Sequence, residues 1–344
     1  MVVGGELFLL TGFMRNRAYG TLLVGIGGLP QASLEEALDW VLDSYDEVFR
    51  PQPPLGDGAS GMLAECLPEG LPLAAHPGFG VKLDRLADDQ TLAGFFDLEA
   101  LDDLPVLAAQ RRFLAALGDR GEGRGLKDQF AGPITILQSL RDSWSRPLWA
   151  FPEHHGLLAR WCGEIGRRLA QGLKAGTDRA VVILDEPVLG LPGPREHGDE
   201  IVAILEPVLE GIRASGARAG LHCCSAPPLD LLRRLPIDEL SLDAQRFGSE
   251  LETGAPILAD YLRGGGRLRL GIVAPFPTGA DHDPLPLLRR IERSSGLRPE
   301  ELVDRLALSP SCGTMLCPLD REAEIVSALR QARTRIDGWL EESR

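Results

Sequence analysis

From about residue 130 onward the chain repeats one pattern: a short apolar run, a loop, then an amphipathic stretch. Residues 132–137 (GPITIL), 180–184 (AVVIL), 217–222, 239–242, 268–273 and 306–309 read as strands. Residues 155–176, 200–214, 228–235, 250–263, 284–294 and 322–336 read as the helices between and after them, the fourth stopped by Gly264-Gly265-Gly266. Six strand–helix units in a row demand a parallel sheet with helical crossovers. Upstream, residues 21–26 (TLLVGI) form a further strand. Ser33 and Glu36 make a capping box that opens a helix over residues 34–48, and residues 49–55 are a short, proline-limited strand. That makes eight strand positions, the number that closes a TIM (β/α)8 barrel. The expected architecture is one barrel domain over residues 1–344, with residues 1–19 as an N-terminal extension. Residues 56–125 break the alternation and read as an insertion after the second strand, lid-like, with a hairpin near 74–83 and a helix over 101–117.

Bulk properties narrow the function. A net charge of −14 spread along the chain argues against nucleic acid or an anionic membrane as partner. No apolar run approaches the roughly 20 residues of a membrane helix. The opening stretch has no basic region ahead of its apolar patch, so no signal peptide is expected and a cytoplasmic location is. Six cysteines are too few for a disulfide scaffold in a chain of 344 residues, and a reducing compartment leaves their thiols free as ligands.

The chemistry gathers at strand ends, where barrel enzymes carry it. His222 and Cys224 end the fifth strand in Leu221-His222-Cys223-Cys224-Ser225, Asp243 ends the sixth, and Cys312 follows the eighth in Ser309-Pro310-Ser311-Cys312-Gly313. In an extended chain His222 and Cys224 share a face while Cys223 points away. One imidazole and two thiolates are a soft donor set suited to Zn²⁺, and three protein ligands with an open position define a catalytic site. The competing reading makes these residues a core histidine and small buried hydrophobes. A zinc ion at this site is expected to bind a substrate thiol, lower its pKa and leave it nucleophilic toward an electrophilic carbon such as a methyl group.

Five segments fall in the order of motifs in cobalamin-independent methionine synthase: Gly25-Ile26-Gly27-Gly28-Leu29-Pro30-Gln31, residues 127–135 (KDQFAGPIT), Leu184-Asp185-Glu186-Pro187, His222-Cys223-Cys224 and Pro310-Ser311-Cys312-Gly313. Over residues 20–335 the chain resembles the C-terminal catalytic barrel of that family, within the superfamily that includes uroporphyrinogen decarboxylase. The resemblance implies zinc ligands at His222, Cys224 and Cys312, with Asp243 where the family has a glutamate. It implies that Asp185, beside Glu186, holds a substrate amino group, making Asp185 and His222 the catalytic pair. It places Gly27 and Gly28 in the loop that clamps the substrate carboxylate, with Gly28 at the position of a serine. Ser139 stands where the family has a tryptophan near folate, so a methyl-corrinoid protein is the expected donor rather than methyltetrahydrofolate. The function so implied is methyl transfer to a small, homocysteine-like thiol. Two alternatives are a metal-free lyase of the decarboxylase type and an inactive metal-binding accessory protein. The arginine-free loop 27–33 speaks against the lyase.

Overall fold

The computed structural model describes residues 20–52, 61–71, 73–75, 81–83, 89–191, 193–226, 229–277, 279 and 281–344. Eight parallel strands curl into a TIM-barrel-like α/β fold: β1 (Leu22–Leu23), β2 (Val48–Phe49), β3 (Leu126–Ala131), β4 (Ala180–Asp185), β5 (Arg218–Cys223), β6 (Glu239–Asp243), β7 (Arg267–Val273) and β8 (Leu306–Pro310). Each pairs in parallel with the next from β2 to β8, and β8 pairs with β1. A single bridge between Gly28 and Gln52 joins β1 to β2. Its hydrogen bonds, Leu29 N–H to the Gln52 carbonyl (3.2 Å) and Gln52 N–H to the Gly27 carbonyl (2.9 Å), close the ring.

The helices cover the outside. Helix Leu34–Ser44 opens where Ser33 Oγ accepts the Glu36 N–H, as the capping signal predicts. It ends at Ser44, four residues before the sequence reading has it, because Val48 is needed in the β2 ladder. Glu322, fully buried on the last helix (Leu319–Glu342), accepts from Tyr45 Oη (2.7 Å) and Trp40 Nε1 (3.2 Å) and ties the first helix to the last. Where one helix is expected over 250–263 there are two, Ala244–Thr253 and Ala255–Arg263. The break falls at Gly254, followed within two residues by Pro256.

The largest correction concerns β3. Residues 132–137 are not a strand: Pro133–Ser139 is a helix. Pro133 at its first position is pre-set for helical φ. The Glu186 carboxylate accepts the N–H groups of Ile134 (2.9 Å) and Thr135 (2.7 Å), which lack helical partners. The strand itself is Leu126–Ala131, whose Lys127, Asp128 and Gln129 hide it from an apolar-run search.

Between β2 and β3 lie an antiparallel pair, Leu73–Ala75 with Val81–Leu83, and a helix, Pro105–Leu117. Leu140–Arg141 adds to that pair in parallel. Residues 1–19, and the expected strand residues beyond Gln52, lie outside the described residues. Among the described residues no helix is long and apolar enough to cross a membrane.

Candidate metal centre

Ladder register sets the site. In β4, β5 and β6, Asp185 pairs with His222 and His222 with Ser241, so their side chains stand in a row on one face of the sheet. Cys224 follows one residue past β5 and Cys312 two past β8. The ligand atoms of His222, Cys224 and Cys312 lie within 4.8 Å of one another. A zinc ion, with bonds of about 2.3 Å to sulfur and about 2.0–2.1 Å to nitrogen, would fit among atoms so spaced.

Each donor is prepared differently. His222 is buried; its Nδ1 meets Ser241 Oγ at 2.9 Å, while its Nε2 is buried without a hydrogen-bond partner. Cys224 is half-buried and Cys312 exposed. The hydrogen bond from Cys224, with help from the His222 imidazole and the Gly313 N–H, lowers the Cys312 thiol to about 4. Cys224 is driven upward by the same hydrogen bond, with burial adding. The pair therefore holds one proton, as thiolate and thiol, until a cation displaces it. Cys223 faces away: it is buried, its Sγ lies 3.3 Å from Ser225 Oγ, and burial raises its pKa. Cys317 is buried and donates to the Pro275 carbonyl.

The three carboxyl and two glycine positions singled out in the sequence meet different fates. Asp185 is 2% exposed, and neither carboxylate oxygen has a hydrogen-bond partner. Burial lifts it to about 6 against the pull of His222 and Lys127. Glu186, by contrast, is saturated: besides the two N–H groups it accepts from Thr135 Oγ1 at 2.6 Å. Burial still carries it to about 8. Its oxygens are committed to the Pro133–Ser139 helix and do not face the ligand cluster as free acceptors. Asp243 stands outside that cluster. It caps the Ala244–Thr253 helix through the Arg246 N–H (2.9 Å), and burial, with the negative charge of Cys312, raises its pKa.

Gly27 has φ of +151°, and a Cβ there would strike the Gln129 side chain, so only glycine fits. Gly28 accepts from Thr314 N–H (2.8 Å) and Thr314 Oγ1 (3.1 Å), which binds the first loop to the segment after Cys312. A Cβ on Gly28 would lie 3.2 Å from Met315 Cβ, too tight for a serine without movement.

Three positioning residues escaped the sequence reading. Ser241 holds the imidazole, and its only signal is the alternation of β6. Lys127 is buried and spends its three protons on the Gly25 carbonyl (2.9 Å), the Ile26 carbonyl (2.5 Å) and Gln129 Oε1 (2.7 Å), shaping the first loop from below. Burial, then the nearby Arg269 charge, lowers it to about 8. Gln129 fills the space that Gly27 leaves open.

No family model and no curated protein matches the chain. Solved structures do. A methyltransferase from Methanosarcina mazei aligns over 92% of this chain and 94% of its own, at 18% identity and a TM-score of 0.57. A putative vitamin-B12-independent methionine synthase from Listeria monocytogenes aligns over 93% and 99%, at 14% identity and a TM-score of 0.54. At such identities the likeness is one of fold.

Proposed function

We propose that this barrel is a zinc-dependent methyltransferase that moves a methyl group onto a small thiol. The observation that carries the reading is the convergence of one imidazole and two thiols, from the ends of β5 and β8, beside the unpaired carboxylate of Asp185. The donor set suits the ion: a buried imidazole and two sulfurs sharing one proton form a soft nitrogen/sulfur set that opens to solvent on the Cys312 side. When bound, zinc supplies the Lewis acidity that holds the acceptor thiol deprotonated.

The chain's own residues do the rest. His222, Cys224 and Cys312 would hold the ion, and the Cys224–Cys312 pair would give up its shared proton to bind it. Asp185 receives the acceptor's ammonium, a charge that its unsatisfied oxygens call for. Glu186 keeps the Pro133–Ser139 helix, and with it the mouth of β3, in place. Gly27 and Gly28 bring main-chain groups to the mouth, and Asp243 is the residue nearest to a fourth ligand. In the transfer the donor–methyl bond breaks, a sulfur–methyl bond forms, and the thiol proton passes to solvent.

A protein-borne methyl-corrinoid donor suits the rim. Phe276, after β7, and Leu316 and Leu319, from the end of β8 to the first residue of the last helix, expose 54%, 79% and 60% of their surface. The two methyl-transfer proteins among the fold neighbours add support.

Purified protein should carry one zinc per chain, and Cys312→Ser should lose both the zinc and methyl transfer from methylcobalamin to thiols. Protein without zinc sinks the reading in favour of a lyase. Bound zinc without transfer to any thiol in a panel makes the chain an accessory protein.

A further inference from the structure

The geometry points to Ser241 as the positioning residue that fixes the orientation of the His222 imidazole toward the two sulfurs. The inference rests on the metal reading above but concerns a residue outside the ligand set.

Two contacts hold His222. The Glu186 N–H donates to the His222 carbonyl at 2.8 Å and fixes the backbone. What remains free is rotation of the imidazole, and Ser241 Oγ, 2.9 Å from Nδ1, removes it. Ser241 is 1% exposed and paired in register with His222, so no water competes for that contact. A hydroxyl can donate to Nδ1 or accept from it, so the contact fixes the plane of the ring under either neutral tautomer. With Nδ1 held at Ser241, Nε2 is the ring atom left to turn toward the two sulfurs. Outer partners of this kind ordinarily change metal affinity about 10–100-fold when removed. The partner here is a neutral hydroxyl rather than a carboxylate, so it orients the ring without adding charge.

The test compares wild type, Ser241→Ala and Ser241→Thr. Imidazole ¹⁵N relaxation of the metal-free proteins, with the His222 signal identified by its loss in His222→Ala, reports motion of the ring. Co²⁺ and Zn²⁺ titrations report affinity, and melting of the metal-free proteins reports general damage. We expect a rigid ring in wild type and Ser241→Thr, a mobile one in Ser241→Ala, and about 10–100-fold weaker metal binding in Ser241→Ala alone, with a metal-free melting shift no larger than one lost hydrogen bond produces. A wild-type ring and wild-type affinity in Ser241→Ala overturn the inference. A wild-type protein with the rigid ring that binds neither metal overturns the metal reading instead and leaves the orientation role standing.

Discussion

The two ends of the barrel treat buried charge in opposite ways. At the N-terminal floor the buried charges of Glu47, Glu239 and Arg269 pair with one another. Arg269 donates to both Glu47 oxygens (2.6 and 2.9 Å) and to Glu239 (2.6 Å), and Arg218 adds a second pair on Glu239 at 2.9 Å. At the C-terminal mouth the Asp185 carboxylate has no hydrogen-bond partner among the described residues, Nε2 of His222 has only the sulfurs to turn to, and two thiols divide one proton. A satisfied ion network seals a barrel. An unsatisfied one waits for a ligand, because burying bare charge is costly unless something arrives to compensate it.

The floor offers the largest effect. Arg269→Met strands Glu47 and leaves Glu239 with its outer partners Arg218 and Arg267 only, and should cost about 3–5 kcal/mol in denaturant unfolding. A loss below 1 kcal/mol would erase the contrast between the ends.

At the mouth the sign reverses. The folded-state pKa of Asp185, about 6, lies above its unfolded value of about 3.9, so the fold favours the protonated form. Stability on this account is full below about pH 4 and is lost as pH rises toward 6. In the metal-free protein, Asp185→Asn should flatten that slope and add on the order of 2–3 kcal/mol at pH 8, while raising KM for an amine-bearing thiol. A destabilised variant would mean that the carboxylate has a partner after all.

The smallest effect separates the two neighbouring acids. Thr135→Val removes one of three hydrogen bonds to Glu186 and should cost about 1 kcal/mol, with acceptor KM unchanged. A change in KM would bring Glu186 into the binding site.

Legibility followed the same division. Strands β4 to β8 were readable because their apolar runs face the helices, and His222, Cys224 and Cys312 stood out as rare types at strand ends. β3 was misplaced because its inward side carries Lys127 and Gln129, which look like loop in one dimension. The helix at Pro133 was missed because its stabilising acceptor, Glu186, is 51 residues away from Thr135. Ser241 and the idle state of Asp185 were invisible, since neither residue type announces its neighbours.

Periodicity alone settled the alternation of strand and helix, since side-chain direction repeats every two residues in one and every 3.6 in the other. Residue chemistry alone settled which atoms can grip a soft cation. Only closure of the ring decided which of them meet. His222 and Cys312, 90 residues apart in sequence, become near neighbours at the mouth, and register then determines which carboxylate is saturated and which is left bare.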